Sequence, residues 1–424
     1  MLKKIVQNSL FKVLSLNSIS VMVSFVLGIV STKIVAVFLG TQGMALLGSF
    51  RNFSGMIKMT STAGINNALV KLYVENKNEK KELSVIFSTF FWLFLGISIV
   101  LSILVFTFSH SISRFLFFTE AYVSCIYFFA VLIPLMVLNA FWLAIYNGSE
   151  QFKKIVIIQI IGNLLIFLVT LYLIINESLF GAIVSVAVSE LLLFGVTFFF
   201  VRRDLYYFTF NLQKSISKKY SLIIFKFSSM ALLSAIIAPL TLILIRNLIV
   251  ANHSINEAGI WDGVAKFSNF YMIVFGSGLS LYYLPKLAKL TTDFEFKKEL
   301  QFYFKFFIPF VFVALVVVYF VKDYIIQLAF TKEFSPINDV LIWQLSGDFV
   351  RMLTLAFGYQ IVVKTMVKEY FFLEIIYNVA YFLFAFYLVK QFSFLGALQA
   401  YFYANVIALL LNLFVFRKLL FKKV

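Results

Sequence analysis

Cys125 stands alone, so the chain has no disulfide to close and no cysteine cluster to hold a metal. Histidine is nearly as scarce: His110 and His253 lie far apart, each in an expected outer loop, and seed no metal site. Charge is thin as well. Charged residues make up 13% of the 424 positions, against about 25% in a soluble domain. No G-x-x-x-x-G-K-[ST] loop is present to cradle ATP phosphates, and neither H-E-x-x-H nor G-x-S-x-G occurs. A membrane polymerase or glycosyltransferase would need a large loop rich in acids, Arg and His, and none is here. These absences exclude a disulfide scaffold and ATP hydrolysis by that phosphate-cradling loop. They leave no catalytic residue, no metal and no cofactor to expect, and point away from an enzyme.

What the chain has is apolar surface. Hydrophobic residues form 62% and aromatics 19% of it, with a mean hydropathy of +0.98. A globule of that composition cannot cover itself with polar groups, so lipid must be part of its solvent. Inside hydrocarbon only helices and closed barrels satisfy every backbone N–H and C=O. Runs such as Leu83–Phe108 and Leu395–Phe416 are long enough for helices and lack the alternation of barrel strands. The expected fold class is therefore an all-α polytopic membrane protein of about 12 transmembrane helices. The spans fall at 14–39, 42–64, 83–108, 121–147, 155–175, 179–201, 221–250, 258–284, 301–321, 338–363, 370–390 and 395–416. The apolar stretch at 13–39 is too long for a cleavable signal and has no small-residue cleavage site.

The net charge of +17 does not mark a nucleic-acid binder, because of where it falls. Most Lys and Arg lie in the N-terminus, alternate loops and the tail, while the opposite loops hold only Arg114, Lys322, Lys332 and Lys390. That asymmetry is the positive-inside rule. It places both termini on the cytoplasmic side of the membrane.

The two halves of the chain resemble each other at a shift of 215 residues, the distance from Ser178 to Ser393. Ser178-Leu179-Phe180-Gly181-Ala182 opens one span and Ser393-Phe394-Leu395-Gly396-Ala397 another, and Arg202-Arg203 and Arg417-Lys418 close them. Lys153, Gln159 and Asn163 match Lys368, Glu374 and Asn378; Gly48-x-x-Arg51 matches Gly263-x-x-Lys266. Lys33 and Arg246 are offset by 213. The expected domains are a six-helix lobe at 1–201, a basic cytoplasmic linker at 202–220 and a six-helix lobe at 221–424. Repeats of this kind share orientation, and transporters built from them bind substrate near the midplane between the lobes.

Charges inside spans are costly, so those present usually face a cavity and work. Lys12, Lys58, Lys226 and Lys305 lie close enough to the inner surface to snorkel. Arg51 and Lys266 sit near the middle of their spans at equivalent repeat positions, and Arg351, Lys33 and Arg246 complete the cationic set. The acids are Glu190, Asp262, Asp348 and Glu374. Asp262 and Lys266 at i,i+4, and Asp348 and Arg351 at i,i+3, can each pair along one helix face. An excess of cations suits an anionic ligand, with Arg the better fork for phosphate. Asn66-Asn67, Asn139, Gln344, Trp261 and Trp343 are further polar or stacking candidates.

Phe38-Leu39-Gly40-Thr41-Gln42-Gly43 leading into Gly48-Ser49-Phe50-Arg51-Asn52 resembles the first two spans of Wzx-type flippases, those of O-antigen and enterobacterial common antigen. Ala258-Gly259-Ile260-Trp261-Asp262-Gly263-Val264, Tyr283-Leu284-Pro285-Lys286-Leu287 and Trp343-Gln344-Leu345-Ser346-Gly347-Asp348 extend the resemblance along the chain. Many of those flippases carry Pro where this chain has Thr41-Gln42. The resemblance implies a polysaccharide-transport member of the multidrug/oligosaccharidyl-lipid/polysaccharide exporter superfamily. Its substrate would be an undecaprenyl-pyrophosphate-linked oligosaccharide, moved to the periplasmic leaflet by alternating access. It implies that Arg51, Lys266 and Arg351 line a cationic cavity for the pyrophosphate, with Lys33 and Arg246 as further ligands. Asp262, Asp348 and Glu374 are then the charge-pair or ion-coupling candidates, for a proton or sodium gradient. The expected partners are the lipid-linked substrate, membrane lipid and other polysaccharide-assembly membrane proteins. The competing expectation is an ion-coupled multidrug or small-solute antiporter.

Overall fold

A computed structural model describes residues 9–63, 65–204, 216–290 and 292–421. Most of the linker expected at 202–220, and the side chains of Lys12, Asn67, Lys226 and Pro285, lie outside the described residues.

Among the described residues every regular element is helical, as a chain that must close its own backbone hydrogen bonds in lipid requires. The elements are α1 (Ser9–Thr62), α2 (Ile65–Asn76), α3 (Lys80–Thr107), α4 (Ser109–Phe117), α5 (Val123–Gly148) and α6 (Phe152–Asp204). They continue with α7 (Lys218–Asn252), α8 (Ile255–Lys289) and α9 (Asp293–Phe302), which runs through a π turn at Tyr303–Phe307 into α10 (Ile308–Ala329). The last are α11 (Ile337–Val363), α12 (Val367–Val415) and α13 (Arg417–Phe421).

Three of these are hairpins. α1 breaks at Gly40 (φ 62°, ψ −162°), α6 at Ser178 (φ 50°, ψ −128°) and α12 at Ser393 (φ 54°, ψ −138°). Each break falls in a connection that the sequence marks as short. Eight helical stretches of the described chain are long and apolar enough to cross a membrane. Counting each hairpin as two crossings, and adding α8, gives material for the twelve expected. The protein is a multi-pass membrane protein. Its exposed surface agrees: Phe320 is 79% and Phe225 70% accessible, an exposure that a lipid solvent tolerates and water does not. The short helices α2 and α4 have no counterpart among the expected spans.

The 215-residue repeat reappears in local backbone geometry. Glu150 and Thr365 both have positive φ, 59° and 51°. Each follows a helix whose end is closed in the same way, with Gln151 N–H donating to Tyr146 O and Met366 N–H to Ile361 O, both at 2.9 Å. These are Schellman closures, which ordinarily take glycine at the left-handed position. Gly181 and Gly396 lie three residues past the equivalent breaks. A Cβ at either would meet a backbone carbonyl oxygen, that of Leu173 at 2.1 Å or of Leu388 at 2.3 Å.

By contacts the chain forms two compact units, residues 1–31 with 49–239 and residues 32–48 with 240–424. This division differs from the halves of the sequence in two segments, 32–48 and 221–239. In the first unit Ile65, Leu69, Ile86, Phe90, Phe141 and Ile145 pack α2, α3 and α5 together. In the second, Lys33 donates to the carbonyls of Gln327 (2.9 Å) and Phe330 (2.5 Å), closing the C-terminus of α10. Thr41 donates to Asn256 Oδ1 at 3.0 Å. Gly259 lets the Thr41 carbonyl approach so closely that a Cβ there would sit 1.8 Å from its oxygen.

Candidate functional site

Besides Glu299, which pairs with Lys286 at 2.6 Å, the described buried charges of the second unit fall into two groups. In the first, Arg246 on α7 donates through Nε and Nη2 to the two oxygens of Asp262 on α8, at 2.7 and 2.6 Å. The guanidinium also faces the Trp261 ring, 5.5 Å from its centroid. The Arg246 side chain is 1% and that of Asp262 10% accessible, and among the described residues Nη1 has no hydrogen-bond partner. Gly48 makes room for the pair, since a Cβ there would lie 2.5 Å from Asp262 Oδ2. A two-pronged pair sealed from water is strong only while both partners are present.

The second group is built around Asp348 on α11. Its carboxylate accepts from Ser268 Oγ at 2.6 Å, from Tyr401 OH at 2.8 Å, from Gln344 Nε2 at 3.2 Å and from the Tyr271 hydroxyl. These donors come from α8, α11 and α12 and are all neutral. Four side-chain donors thus converge on one buried carboxylate. Arg351, one turn along the same helix and surrounded by other groups, interacts with the Tyr401 hydroxyl and with Tyr377. Asp348 and Arg351 are therefore linked through a tyrosine as well as by helical spacing.

The other sequence candidates are placed as follows. Lys33 is half-buried and caps α10. Arg51, in the first unit, and Lys266, in the second, are half-buried within their spans. Glu374 is half-buried near Tyr377. Gln344 belongs to the Asp348 cage, and Asn139 accepts from Thr197 Oγ1 at 2.6 Å in the first unit. Sequence spacing did not find two partnerships that cross between helices. Asp262 takes its two-pronged partner from Arg246. Lys58, read as a snorkelling lysine, forms an ion pair with Glu190 at 2.8 Å. Neither pair has a signal in sequence spacing, since each joins separate helices.

Residues 34–339 match the family described as polysaccharide biosynthesis protein. Among curated proteins the chain is similar to the lipid III flippases of Escherichia coli (strain K12) and Shigella flexneri. Each is 26% identical over 387 residues, covering 90% of this chain and 92% of the relative. Among solved structures it is similar to the lipid II flippase MurJ in its inward closed conformation, with a TM-score of 0.76, 17% identity, and coverage of 94% of this chain and 87% of that one. It is also similar to an inward-facing multidrug resistance MATE family transporter of the MOP superfamily, with a TM-score of 0.74, 12% identity, and coverage of 93% and 94%. At these identities the structural likeness establishes the fold.

Proposed function

Because the chain belongs to the polysaccharide biosynthesis protein family, we propose that it is a flippase of the Wzx type. It carries an undecaprenyl-pyrophosphate-linked oligosaccharide from the cytoplasmic to the periplasmic leaflet of the inner membrane. The end-to-end likeness to lipid III flippases supports a lipid-linked substrate. The observation that carries the reading is the pair Arg51 and Lys266, a cation at the same repeat position in each unit, half-buried inside a span. A charge inside a span is costly, and those present usually face a cavity and serve function.

In this reading residues 1–201 and 221–424 are the lobes that rock, joined by the cytoplasmic linker 202–220, with both termini cytoplasmic. Arg51, Lys266 and Arg351 bind the pyrophosphate in a cationic cavity while the prenyl tail stays in lipid. Arg246 is committed to Asp262 and Lys33 to carbonyl oxygens, so both serve as positioning groups unless a conformational change releases them. Asp262, Asp348 and Glu374 are the carboxylates available to a proton or sodium gradient. Other polysaccharide-assembly membrane proteins would supply and receive the substrate.

The test is binding of undecaprenyl-pyrophosphate-linked sugar to purified protein. Arg51→Ala and Lys266→Ala should each weaken it by about 1.5–3 kcal/mol, the range for charge-assisted hydrogen bonds. Absence of binding, or binding that ignores both substitutions, would overturn the site. The likeness to MATE transporters favours a second reading, an ion-coupled antiporter for drugs or small solutes. It predicts the opposite pattern: neutralising Asp348 or Asp262 stops transport while Arg51→Ala is tolerated.

A further inference from the structure

The Lys58–Glu190 pair stands apart from every group assigned above to substrate or coupling. Both residues belong to the first unit, Lys58 on the second limb of α1 and Glu190 on the second limb of α6. The ammonium donates to both carboxylate oxygens, at 2.8 and 2.9 Å. Burial is unequal: 37% of the Lys58 side chain is accessible but only 7% of Glu190. The cation is partly accessible, while the acid is sealed behind it.

A salt bridge so arranged is an anion site already filled, with a protein carboxylate in the place a phosphate oxygen would take. Among the described residues Lys58 is the one cation bonded to Glu190. The neighbouring α5, packed against α6, carries no Asp, Glu, Lys, Arg or His; its titratable groups are Cys125, Tyr127 and Tyr146. On α6 itself Lys153, Lys154, Glu177, Arg202, Arg203 and Asp204 all lie three or more turns from Glu190, and on α1 Arg51 lies two turns before Lys58. If the ammonium turns to another anion, nothing else described is bonded to the Glu190 carboxylate to hold its charge.

Resting on the flippase reading, the geometry points to Lys58 as a further ligand for the pyrophosphate head group, with Glu190 as the group it releases and a proton taken up in exchange. The Lys58 ammonium keeps its proton and passes its N–H donors from Glu190 to a phosphate oxygen. The Glu190 carboxylate, left buried without a counter-charge, neutralises itself by taking one proton from water, because an unpaired buried carboxylate is far costlier than a buried acid. Anion binding and proton binding are thereby linked at one site.

The test is isothermal titration of the full-length purified protein with farnesyl pyrophosphate at near-neutral pH, in two buffers of different ionisation enthalpy. Wild type should take up about one proton more per bound anion than Glu190→Gln. Glu190→Gln itself should bind at least as tightly as wild type, since its neutral amide competes less for Lys58. Replacing both residues, Lys58→Met with Glu190→Gln, leaves no buried charge to unfold the protein and should weaken binding about tenfold or more. Inorganic pyrophosphate should give the same proton count, because only the head group exchanges with Glu190. Equal proton uptake by wild type and Glu190→Gln, uptake seen with the farnesyl ligand alone, or full-strength binding by the double variant would each overturn the exchange while leaving the flippase reading intact. No binding of either ligand by wild type would overturn both.

Discussion

At the scale of single residues, the buried charges described on α7, α8 and α11 are either paired across helices or held by neutral donors. Arg246 and Asp262 neutralise each other with little access to water. Arg246→Ala removes the two-pronged partner of a buried carboxylate and should lower stability by about 3–5 kcal/mol, whereas Arg246→Met combined with Asp262→Leu should recover most of that loss. Thermal unfolding in detergent distinguishes the two, and an equally unstable double variant would mean that the pair does more than compensate its own burial. Outside the spans, Glu120 accepts from His110 Nδ1 at 3.0 Å when that nitrogen carries the proton, and from Arg114 Nε at 2.5 Å. These contacts, His110 first and then Arg114, hold its carboxyl below the usual carboxylate range. A depressed acid stabilises the fold above its unfolded value of about 4.3 and loses that contribution as pH falls through the lower folded value. Wild type should therefore exceed Glu120→Gln slightly in melting temperature near neutrality, with the gap closing in acid. A gap that widens in acid would contradict the assignment.

At the scale of elements, glycine sets how closely helices approach. Gly48 and Gly259 both sit where the 32–48 segment meets α8, one against the Asp262 carboxylate and the other against a backbone carbonyl. A flexible side chain can move aside, but a carboxylate gripped by two N–H donors gives way poorly and a backbone carbonyl hardly at all. Gly48→Val should cost about 1–3 kcal/mol as overpacking, and Gly259→Val more. Melting curves of the two variants side by side check the order, and a neutral Gly259→Val would show that the approach relaxes freely. Ser178 and Ser393 show a different economy. Both hold the same left-handed turn without being glycine, and such strain of roughly 1–3 kcal/mol persists only where surrounding structure fixes the chain.

At the scale of the whole molecule, the segment 32–48 belongs by contact to the second unit although it lies in the first half of the chain. If residues 1–201 move as one lobe, this segment must leave Asn256, Gln327 and Phe330 on every cycle. Cysteines placed at Thr41 and Asn256, whose side chains are hydrogen-bonded at 3.0 Å, should therefore arrest transport when oxidised and release it when reduced. The native Cys125 is buried and does not compete for the cross-link. Flipping that continues through the oxidised bond would show that the segment stays with the second unit.

The sequence by itself determined the class, the crossings and the turns between them. Lipid leaves the backbone no alternative to the helix, and the hairpin breaks fall at short polar or glycine connections such as Gly40 and Asn176–Ser178, where the apolar run is interrupted. The repeat was legible because a conserved local geometry, at Ser178 and Ser393 or Gly181 and Gly396, is written in neighbouring residues. The pairing of charges was not. Along one helix Asp262 has Lys266 a turn away, yet the two-pronged partner described for it is Arg246. Lys58 reads as an interfacial lysine until Glu190, 132 residues later, is brought to it. Helical spacing constrains only neighbours on one helix, and which acid meets which cation across helices is decided by packing: glycines such as Gly48 let two backbones come close enough for a carboxylate to meet a cation on another helix.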